Sequence, residues 1–216
     1  MTNSRTQTNG KPLKLYFAAE AISLAPHIVL IEQDFEYELV RVNPVTLRAS
    51  DGTNYQEVNP VAYVPTLLLE NERRLSEAPA IIQYLADMKP ETGLTAPLGS
   101  WGRVRLWEAL SYLSSELHSL CIPLFMPEIP VKVKNYISDK LKDRLTYLAN
   151  RVHGRRYIMG PDFTVADAYV FPILEWLPRF GIDLHSWPEL LDIHHNIANR
   201  ASVQAALEEE AAFPPC

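Results

Sequence analysis

A valine–proline pair in front of a short apolar run constrains the fold of this chain more than any other feature. Val64 and Pro65 precede residues 66–69, Thr-Leu-Leu-Leu, and a β-strand accepts proline at its first residue. A second short strand is predicted near residues 73–75, after the polar residues that separate the two apolar runs. The segment is therefore expected to form two short strands in succession.

A helix start follows the second of these strands. Pro79 suits the first helical position, because its missing N–H would have no partner there, and Ala78 is then the predicted N-cap. Ile81, Ile82 and Leu85 give the helix an apolar face. Free backbone N–H groups at such a helix start can hold an anion. The same pattern also fits an ordinary strand–helix fragment that binds nothing.

The residues before this segment complete a domain. Residues 13–17 predict a buried strand, residues 23–33 a helix and residues 37–42 a second strand with alternating side chains. Residues 43–58 are polar and predict a loop. The resulting order, β-α-β-loop-β-β-α, indicates a thioredoxin-like domain over residues 13–88.

Proline and glycine mark a linker between this domain and the rest of the chain. Residues 89–100 contain two of each, a composition typical of a connection. From residue 101 onward the pattern is helical, which predicts an all-helical domain over residues 101–216. Five leucines recur there at 4-3-4-3 spacing, namely Leu106, Leu110, Leu113, Leu117 and Leu120.

A capping pattern opens a later helix of this domain. Thr164 is the predicted N-cap and Asp167 lies three residues on, which makes a capping box with Asp in place of the usual Glu. An acidic residue also suits the positive start of a helix. Further helices are predicted over residues 133–152 and 189–200, and the end of the chain from Phe213 is expected to fray.

Composition and charge exclude several classes of protein. The chain has 216 residues, 47% apolar and 21% charged, as in soluble globular proteins, and its net charge of −6 argues against a nucleic-acid surface. No apolar run approaches the ~18 residues of a membrane span. Residues 1–12 lack the apolar core of a secretory signal and are predicted to be a disordered tail. Cys121 and Cys216 show no CxxC or zinc spacing, so we expect a cytoplasmic protein without a metal site.

Several of these motifs together resemble the glutathione transferase family, most closely its bacterial beta class. The resemblance covers about residues 13–207. It rests on the stretches Val64-Pro65, Ser76-Glu77-Ala78, residues 80–87 (Ala-Ile-Ile-Gln-Tyr-Leu-Ala-Asp), Leu94-Thr95-Ala96-Pro97, Ser115-Glu116-Leu117-His118 and residues 163–169. It implies an α+β protein with the glutathione transferase fold, in which a thioredoxin-like domain precedes an all-α domain, and it implies a homodimer.

The resemblance also implies the contacts with glutathione. In the family the proline bond is cis, which X–Pro bonds adopt at low cost, and the preceding residue pairs its backbone with the cysteinyl part of glutathione. The acid at the helix start holds the γ-glutamyl end. Val64, Pro65 and Glu77 take these positions here, and Ala78 follows the acid. Arg48, beside a position where the family usually has lysine, is expected to fork onto a glutathione carboxylate.

Transfer of glutathione needs its thiolate, and the position that normally supports the thiol has changed. A free thiol has a pKa near ~8.5, so the protein must favour the anion. Most beta-class members carry a cysteine at the first strand–helix turn, where this chain has Ile22, which cannot donate a hydrogen bond.

Three side chains remain open as replacements. Ser23 adjoins the changed position, Tyr16 lies in the first strand as in the tyrosine-type transferases, and His118 stands where the beta class places an active-site histidine. Each also has a structural interpretation: a plain helix N-cap for the serine, a packed core residue for the tyrosine, and a solvated or interface residue for the histidine.

Two functions follow from the resemblance. In the first, glutathione is the co-substrate of an enzyme that conjugates it to a small apolar electrophile, or uses it to rearrange one. The aromatic residues expected at the electrophile are Tyr112, Phe125 and Trp176. In the second, the chain is a non-catalytic ligand-binding or protein-interaction module with the same fold. Glu77 and His118 favour the enzyme, whereas Ile22 favours the module.

Overall fold

The computed structural model describes residues 12–70 and 72–213, which form two compact units. The first contains the described residues up to Thr92 together with those from Ala201 onward, and the second is Gly93–Arg200. The predicted tail, apart from Pro12, and Cys216 lie outside the described residues. Within the described residues, no helix has both the length and the apolar composition to cross a bilayer.

The first unit is built on a four-stranded mixed sheet, which confirms the thioredoxin-like prediction. Its strands in chain order are β1 (Leu13–Phe17), β2 (Tyr37–Arg41), β3 (Thr66–Leu68) and β4 (Arg74–Ser76). The spatial order is β2-β1-β3-β4, with β1 parallel to β2 and antiparallel to β3, and β3 antiparallel to β4. The helices between the strands and after them are α1 (Leu24–Glu32), α2 (Tyr55–Val58) and α3 (Ala78–Met88).

The register of the sheet brings the turns between these strands to one edge. Tyr16, near the end of β1, pairs with Thr66 at the start of β3, and Thr66 also pairs with Ser76 at the end of β4. The turn after β1, the turn before β3 and the turn after β4 therefore meet. We call this the loop edge and define it by residues 18–23, 64–65 and 77.

The second unit is helical, as predicted. Its elements in chain order are α4 (Trp101–Tyr112), a π-helical segment (Leu113–His118), α5 (Ser119–Phe125), α6 (Val131–Val152), α7 (Val165–Trp176), two 3-10 turns (Leu177–Phe180 and Leu184–Ser186) and α8 (Pro188–Ala198). The predicted capping box forms at the start of α7. Asp167 is completely buried and accepts the backbone N–H of Thr164 at 2.8 Å, its hydroxyl at 2.9 Å and the backbone N–H of Ile158 at 2.7 Å.

The π-helical segment changes the leucine stripe that the sequence predicts. Its backbone makes a wide turn, since the N–H of Ser119 reaches the carbonyl of Ser114 five residues back. After Leu117, the next fully buried side chain is Cys121, whereas Leu120 is only partly buried. The wider turn shifts the helix register beyond Leu117, so Leu120 does not continue the buried face that the other four leucines form.

A last helix, α9 (Ala201–Ala211), was not predicted and packs on α1 in the first unit. The sequence assigned these residues to the helical domain by chain order alone. His27 of α1 is fully buried, with Nδ1 3.1 Å from Glu210 and Nε2 3.1 Å from Glu209. The hydroxyl of Tyr37 donates to Glu209 at 2.7 Å. These polar contacts fix α9 on the first unit.

Phe213, two residues after the end of α9, is also packed, which corrects the prediction that the chain frays from this residue. Its ring meets that of Phe17 edge-on, with centroids 5.0 Å apart, and its carbonyl accepts a hydrogen bond from Arg41 at 3.0 Å. The residues after Phe213 lie outside the described part of the chain.

The contact between His27 and Glu210 is expected to contribute strongly to the stability of the first unit. Removing either partner leaves the other buried without its counterpart, so His27→Phe or Glu210→Gln should each lower the free energy of unfolding by about 3 kcal/mol. Urea unfolding of both single variants and of the double variant measures the coupling, expected to be about 1–3 kcal/mol. Glu208→Gln, on an exposed position of the same helix, should change stability by no more than about 0.5 kcal/mol. Purely additive effects would show that the contact does not couple the two helices.

Candidate functional site

The Val64–Pro65 peptide bond is cis, as predicted, and lies directly before β3. The carbonyl of Tyr63 accepts hydrogen bonds from the hydroxyl of Tyr55 at 2.9 Å and from the side-chain amide of Asn59 at 2.8 Å, and these bonds fix the turn before Val64. The side chain of Val64 packs on a core cluster that includes Tyr55. Within the described residues, neither the backbone N–H nor the C=O of Val64 makes a hydrogen bond. This peptide edge is therefore available to a ligand.

Glu77 stands at the start of α3 with an unusual backbone. It is the N-cap, with φ 68° and ψ 108°, a left-handed region that costs a residue of this size about 1–3 kcal/mol. Its side chain is exposed, and no hydrogen bond or ion pair within the described residues reaches its carboxylate. Strained residues of this kind concentrate at ligand contacts.

The start of α3 differs by one residue from the prediction. Ala78 is the first helical residue rather than the N-cap, and Pro79 is the second. The side chain of Glu77 makes no capping hydrogen bond and so does not occupy the N–H of Ala78. A ligand anion is a suitable partner for such an N–H.

Arg48 lies in the loop between β2 and α2, with its side chain exposed. Its neighbour Leu47, at the position where the family usually has lysine, packs on the core cluster and has φ 55°. The Arg48 carbonyl accepts the N–H of Asn43 at 2.9 Å, which shapes this loop. No ion pair within the described residues occupies the Arg48 guanidinium. It is a cation available to a ligand carboxylate.

The turn between β1 and α1 holds Ile22 and Ser23, and neither side chain offers a donor to a ligand. Ile22 is buried. Ser23 is fully buried, and its hydroxyl donates to the carbonyl of Ala18 at 3.0 Å while accepting the Ala18 N–H at 3.2 Å. The single hydroxyl proton is therefore used within the turn, which counts against Ser23 as the group that stabilises a thiolate.

Backbone donors remain in the same turn. The N–H groups of Ala21, Leu24 and Ala25 donate to backbone carbonyls. Within the described residues, the N–H groups of Ile22 and Ser23 make no hydrogen bond. They lie at the start of α1, where the helix dipole places positive potential. Two free N–H groups at a helix start can stabilise an anion.

Tyr16 is a core residue rather than a group of this turn. It belongs to a buried cluster with Val40, Val42 and Tyr55, and the rings of the two tyrosines lie 5.6 Å apart. Burial, followed by the negative charge of Asp51, raises the pKa of the Tyr16 hydroxyl. This environment agrees with the structural interpretation and counts against Tyr16 as the thiol activator.

His118 lies in the helical unit, at the end of the π-helical segment. Its Nδ1 is 3.0 Å from the hydroxyl of Tyr169 on α7, and its ring stands 5.5 Å from that of Trp176. Burial lowers the pKa of His118 to about 4, so the ring is neutral at neutral pH. A neutral imidazole of low basicity can donate a hydrogen bond but is a poor general base.

Two of the three aromatic residues expected at the electrophile lie near His118. The ring of Phe125 meets that of Trp176 at 5.4 Å and that of Phe180 at 4.7 Å. Tyr112 is not in this group, since it donates to the carbonyl of Arg144 at 2.8 Å and lines a separate cavity of about 290 Å³. Phe180 and Tyr169 were missed, since neither has a motif that distinguishes it from core aromatic residues.

The cysteine that the structure describes is not a reactive thiol. Cys121 is fully buried, and burial raises the pKa of its thiol to about 12. A thiolate is therefore strongly disfavoured there. Within the described residues, no group of three His, Cys, Asp or Glu side chains is arranged to hold a metal ion.

Comparisons with known proteins match both halves of the chain. Residues 11–87 match the glutathione S-transferase N-terminal domain and residues 115–210 a glutathione S-transferase C-terminal domain. Glutathione S-transferase GstA of Escherichia coli O157:H7 is 37% identical over 198 residues, covering 92% of this chain and 98% of that protein.

Solved structures agree with this result. A sphingomonad glutathione S-transferase in complex with glutathione is 38% identical with a TM-score of 0.89, covering 93% of this chain and 100% of the other. The beta-class glutathione S-transferase of Sphingomonas chungbukensis gives the same identity, TM-score and coverage. The chain belongs to the glutathione S-transferase family, with the bacterial beta class among its near structural neighbours.

Proposed function

We propose that this protein is a glutathione transferase that joins glutathione to a small apolar electrophile, or uses glutathione as co-substrate to rearrange one. The observation that carries the proposal is the loop edge, where an unpartnered peptide edge at Val64, an unpartnered carboxylate at Glu77 and two free N–H groups after β1 meet. Glutathione presents complementary groups: a peptide backbone, an ammonium and a thiol. The transferase relatives and the glutathione complex of a structural neighbour support the same function.

Each contact has a chemical partner on glutathione. The peptide edge of Val64 pairs with the cysteinyl residue, in the manner of a short β-bridge. The Glu77 carboxylate holds the γ-glutamyl ammonium, and the N–H of Ala78 donates to the γ-glutamyl carboxylate at the start of α3. Arg48 binds the glycine carboxylate, since a guanidinium forks onto a carboxylate.

The thiol is activated by the backbone in this proposal. Ile22 has no donor, the hydroxyl of Ser23 is used by Ala18, and Tyr16 lies in the core cluster. In this proposal the N–H groups of Ile22 and Ser23, at the positive end of α1, bind the sulfur. Hydrogen bonds to an anion from such a position lower the pKa of a thiol.

A second function rests on the same turn. With Ile22 in place of the cysteine and the Ser23 hydroxyl occupied, the protein could bind glutathione without transferring it. The glutathione S-transferase relatives favour the enzyme over this module. Glutathione binding without turnover of any electrophile would favour the module.

The proposal includes a homodimer. On α4, Trp101, Val104 and Trp107 recur at a spacing of three and are 72%, 40% and 46% exposed, so they form an exposed apolar stripe. We propose that a second copy of the chain packs against this stripe and buries it. Sedimentation at micromolar concentration tests this, and a species with the mass of one chain, 24.5 kDa, would contradict it. The cytoplasmic location also stays a prediction.

The Glu77 contact can be measured by calorimetry with reduced glutathione. Glu77→Gln keeps the shape of the side chain but removes the charge, so the dissociation constant should rise about 10- to 150-fold, the equivalent of about 1.5–3 kcal/mol. Glu91→Gln, a carboxylate with no assigned contact on the exposed surface of the same unit, should leave the constant unchanged. Equal constants for Glu77→Gln and the wild type would remove Glu77 from the site.

Whether residue 22 faces the thiol of glutathione can be tested with oxidised glutathione, by searching the peptides for a mixed disulfide with mass spectrometry. The wild-type peptide that contains Ile22 should carry no adduct. Ile22→Cys should form a mixed disulfide there, because its thiolate would lie at the start of α1 and can displace glutathione from its disulfide. An Ile22→Ser variant controls for the loss of the apolar side chain. An Ile22→Cys protein that binds glutathione but never forms the adduct would show that residue 22 does not face the thiol.

A further inference from the structure

Two buried side chains hold the peptide unit between Tyr63 and Val64. The carbonyl of Tyr63 accepts a hydrogen bond from the hydroxyl of Tyr55 at 2.9 Å and another from the side-chain amide of Asn59 at 2.8 Å. Tyr55 is fully buried, and Asn59 is 7% exposed. Both donors therefore reach the carbonyl from the interior of the first unit, and together they fix the plane of this peptide unit.

The direction of this carbonyl sets the direction of the N–H in the same peptide unit. The bond between Tyr63 and Val64 is trans, and in a planar trans unit the C=O and the N–H point in opposite directions. Because the carbonyl points toward the buried donors, the N–H of Val64 points away from them. Within the described residues this N–H makes no hydrogen bond, so it is free to meet a ligand.

The hydroxyl of Tyr55 belongs to a chain of hydrogen bonds with a fixed direction. It carries one proton, and a carbonyl only accepts, so Tyr55 donates to Tyr63. The contact of 2.8 Å between the hydroxyls of Tyr55 and Thr66 is then donated by Thr66. Burial raises the pKa of the Tyr55 hydroxyl, so it stays a donor throughout the physiological pH range.

Asn59 also closes the turn that leads to Val64. Its side-chain oxygen accepts the N–H of Val61 at 3.1 Å, and its backbone carbonyl accepts the N–H of Ala62 at 2.8 Å. Ala62 has φ 65°, a left-handed conformation that persists only where the surrounding structure holds it. The turn is thus built around Asn59, whose side-chain amide remains directed at Tyr63.

Two donors on one carbonyl also strengthen the N–H of the same peptide unit. Hydrogen bonds in a chain polarise one another. A carbonyl that accepts twice draws electron density from its own amide nitrogen, which makes the N–H a better donor. The N–H of Val64 is therefore both oriented and strengthened by the contacts behind it.

We propose that Tyr55 and Asn59 are positioning residues for glutathione, which orient the N–H of Val64 toward the carbonyl oxygen of the cysteinyl residue. The inference rests on the proposed transferase function, in which Val64 and the cysteinyl residue pair as a short β-bridge. In a pair of this kind two residues exchange two hydrogen bonds. The N–H of Val64 lies in the peptide unit that the two side chains hold, whereas its C=O lies in the next unit. Tyr55 and Asn59 therefore act on one of the two bonds.

A matched pair of ligands tests the inference by calorimetry. S-methylglutathione has the cysteinyl carbonyl but no thiol, so stabilisation of a thiolate does not enter the measurement. Its analogue with CH2 in place of that carbonyl lacks the acceptor for the Val64 N–H. Tyr55→Phe and Asn59→Ala should each raise the dissociation constant of S-methylglutathione about 3- to 10-fold, as for the loss of one neutral hydrogen bond, and leave that of the analogue unchanged.

Further variants serve as controls. Asn59→Asp keeps the acceptor for the N–H of Val61 but loses the donor to Tyr63, so it should weaken S-methylglutathione at least as much as Asn59→Ala. Tyr157→Phe and Asn196→Ala remove a hydroxyl that accepts from Arg200 and a side-chain amide that donates to the carbonyl of Arg156, both in the second unit. These two variants should leave both dissociation constants unchanged.

Steady-state kinetics separate positioning from catalysis. Tyr55→Phe should raise KM for glutathione by the same factor as the dissociation constant of S-methylglutathione. Its kcat at saturating glutathione should stay unchanged, because the sulfur is assigned to other N–H groups and the lost contact acts equally on the ground state and the transition state. A fall in kcat with an unchanged KM would contradict a positioning role.

The outcomes distinguish this inference from the proposed function. Equal losses for both ligands in Tyr55→Phe and Asn59→Ala, or unchanged binding of S-methylglutathione, would overturn the inference and leave the glutathione site in place. Wild-type protein that does not bind S-methylglutathione would instead overturn the site. NMR of the wild type decides even if the variants do not fold: S-methylglutathione should shift the Val64 amide proton and the analogue should not, and the absence of this difference would overturn the inference.

Discussion

The pairing of β3 with both β1 and β4 is the constraint on which the candidate site depends. Thr66 pairs with Tyr16 on one side and Ser76 on the other, so a single register places the turn after β1, the cis Val64–Pro65 bond and Glu77 at one edge. A slip of one residue would turn the fully buried Leu67 toward the opposite face of the sheet, which makes the register hard to change. The proposed glutathione contacts therefore depend on this register, which sets the positions of the three turns.

This scaffold explains how the site can tolerate Ile22. The side chain at that position is buried and packs, while the N–H groups of Ile22 and Ser23 stay free at the start of α1. Backbone donors do not depend on the side chain, so isoleucine in place of cysteine would remove disulfide chemistry but keep the N–H groups that we propose bind the thiolate. The hydroxyl of Ser23 is hydrogen-bonded to the backbone of Ala18 within the turn. Cys121 is buried in the core, where its thiol stays protonated.

The sequence predicts the elements of this fold well where local signals are strong. β1, the helix after Ser23, the capping box of Thr164 and Asp167, and the cis bond all follow from short-range patterns or from the family motif. The packing of α9 does not, because it depends on contacts between residues distant in the chain, such as His27 with Glu210. The π-helical turn before His118 was not predicted either, since the leucine spacing there is that of an ordinary helix. The hydrogen bonds between Ser23 and Ala18 and the burial of Tyr16 are visible only in the folded structure, so sequence alone could not rank the candidate thiol donors.

The central claim is that backbone N–H groups of the β1–α1 turn stabilise the glutathione thiolate. Ultraviolet difference titration of the bound thiol measures this directly. The account predicts a pKa at least about one unit below the ~8.5 of a free thiol, unchanged in Tyr16→Phe and His118→Ala, since it assigns the hydrogen bonds to the sulfur to the backbone alone. A bound thiol that titrates at the free value, or a midpoint that returns to it in either variant, would contradict the account.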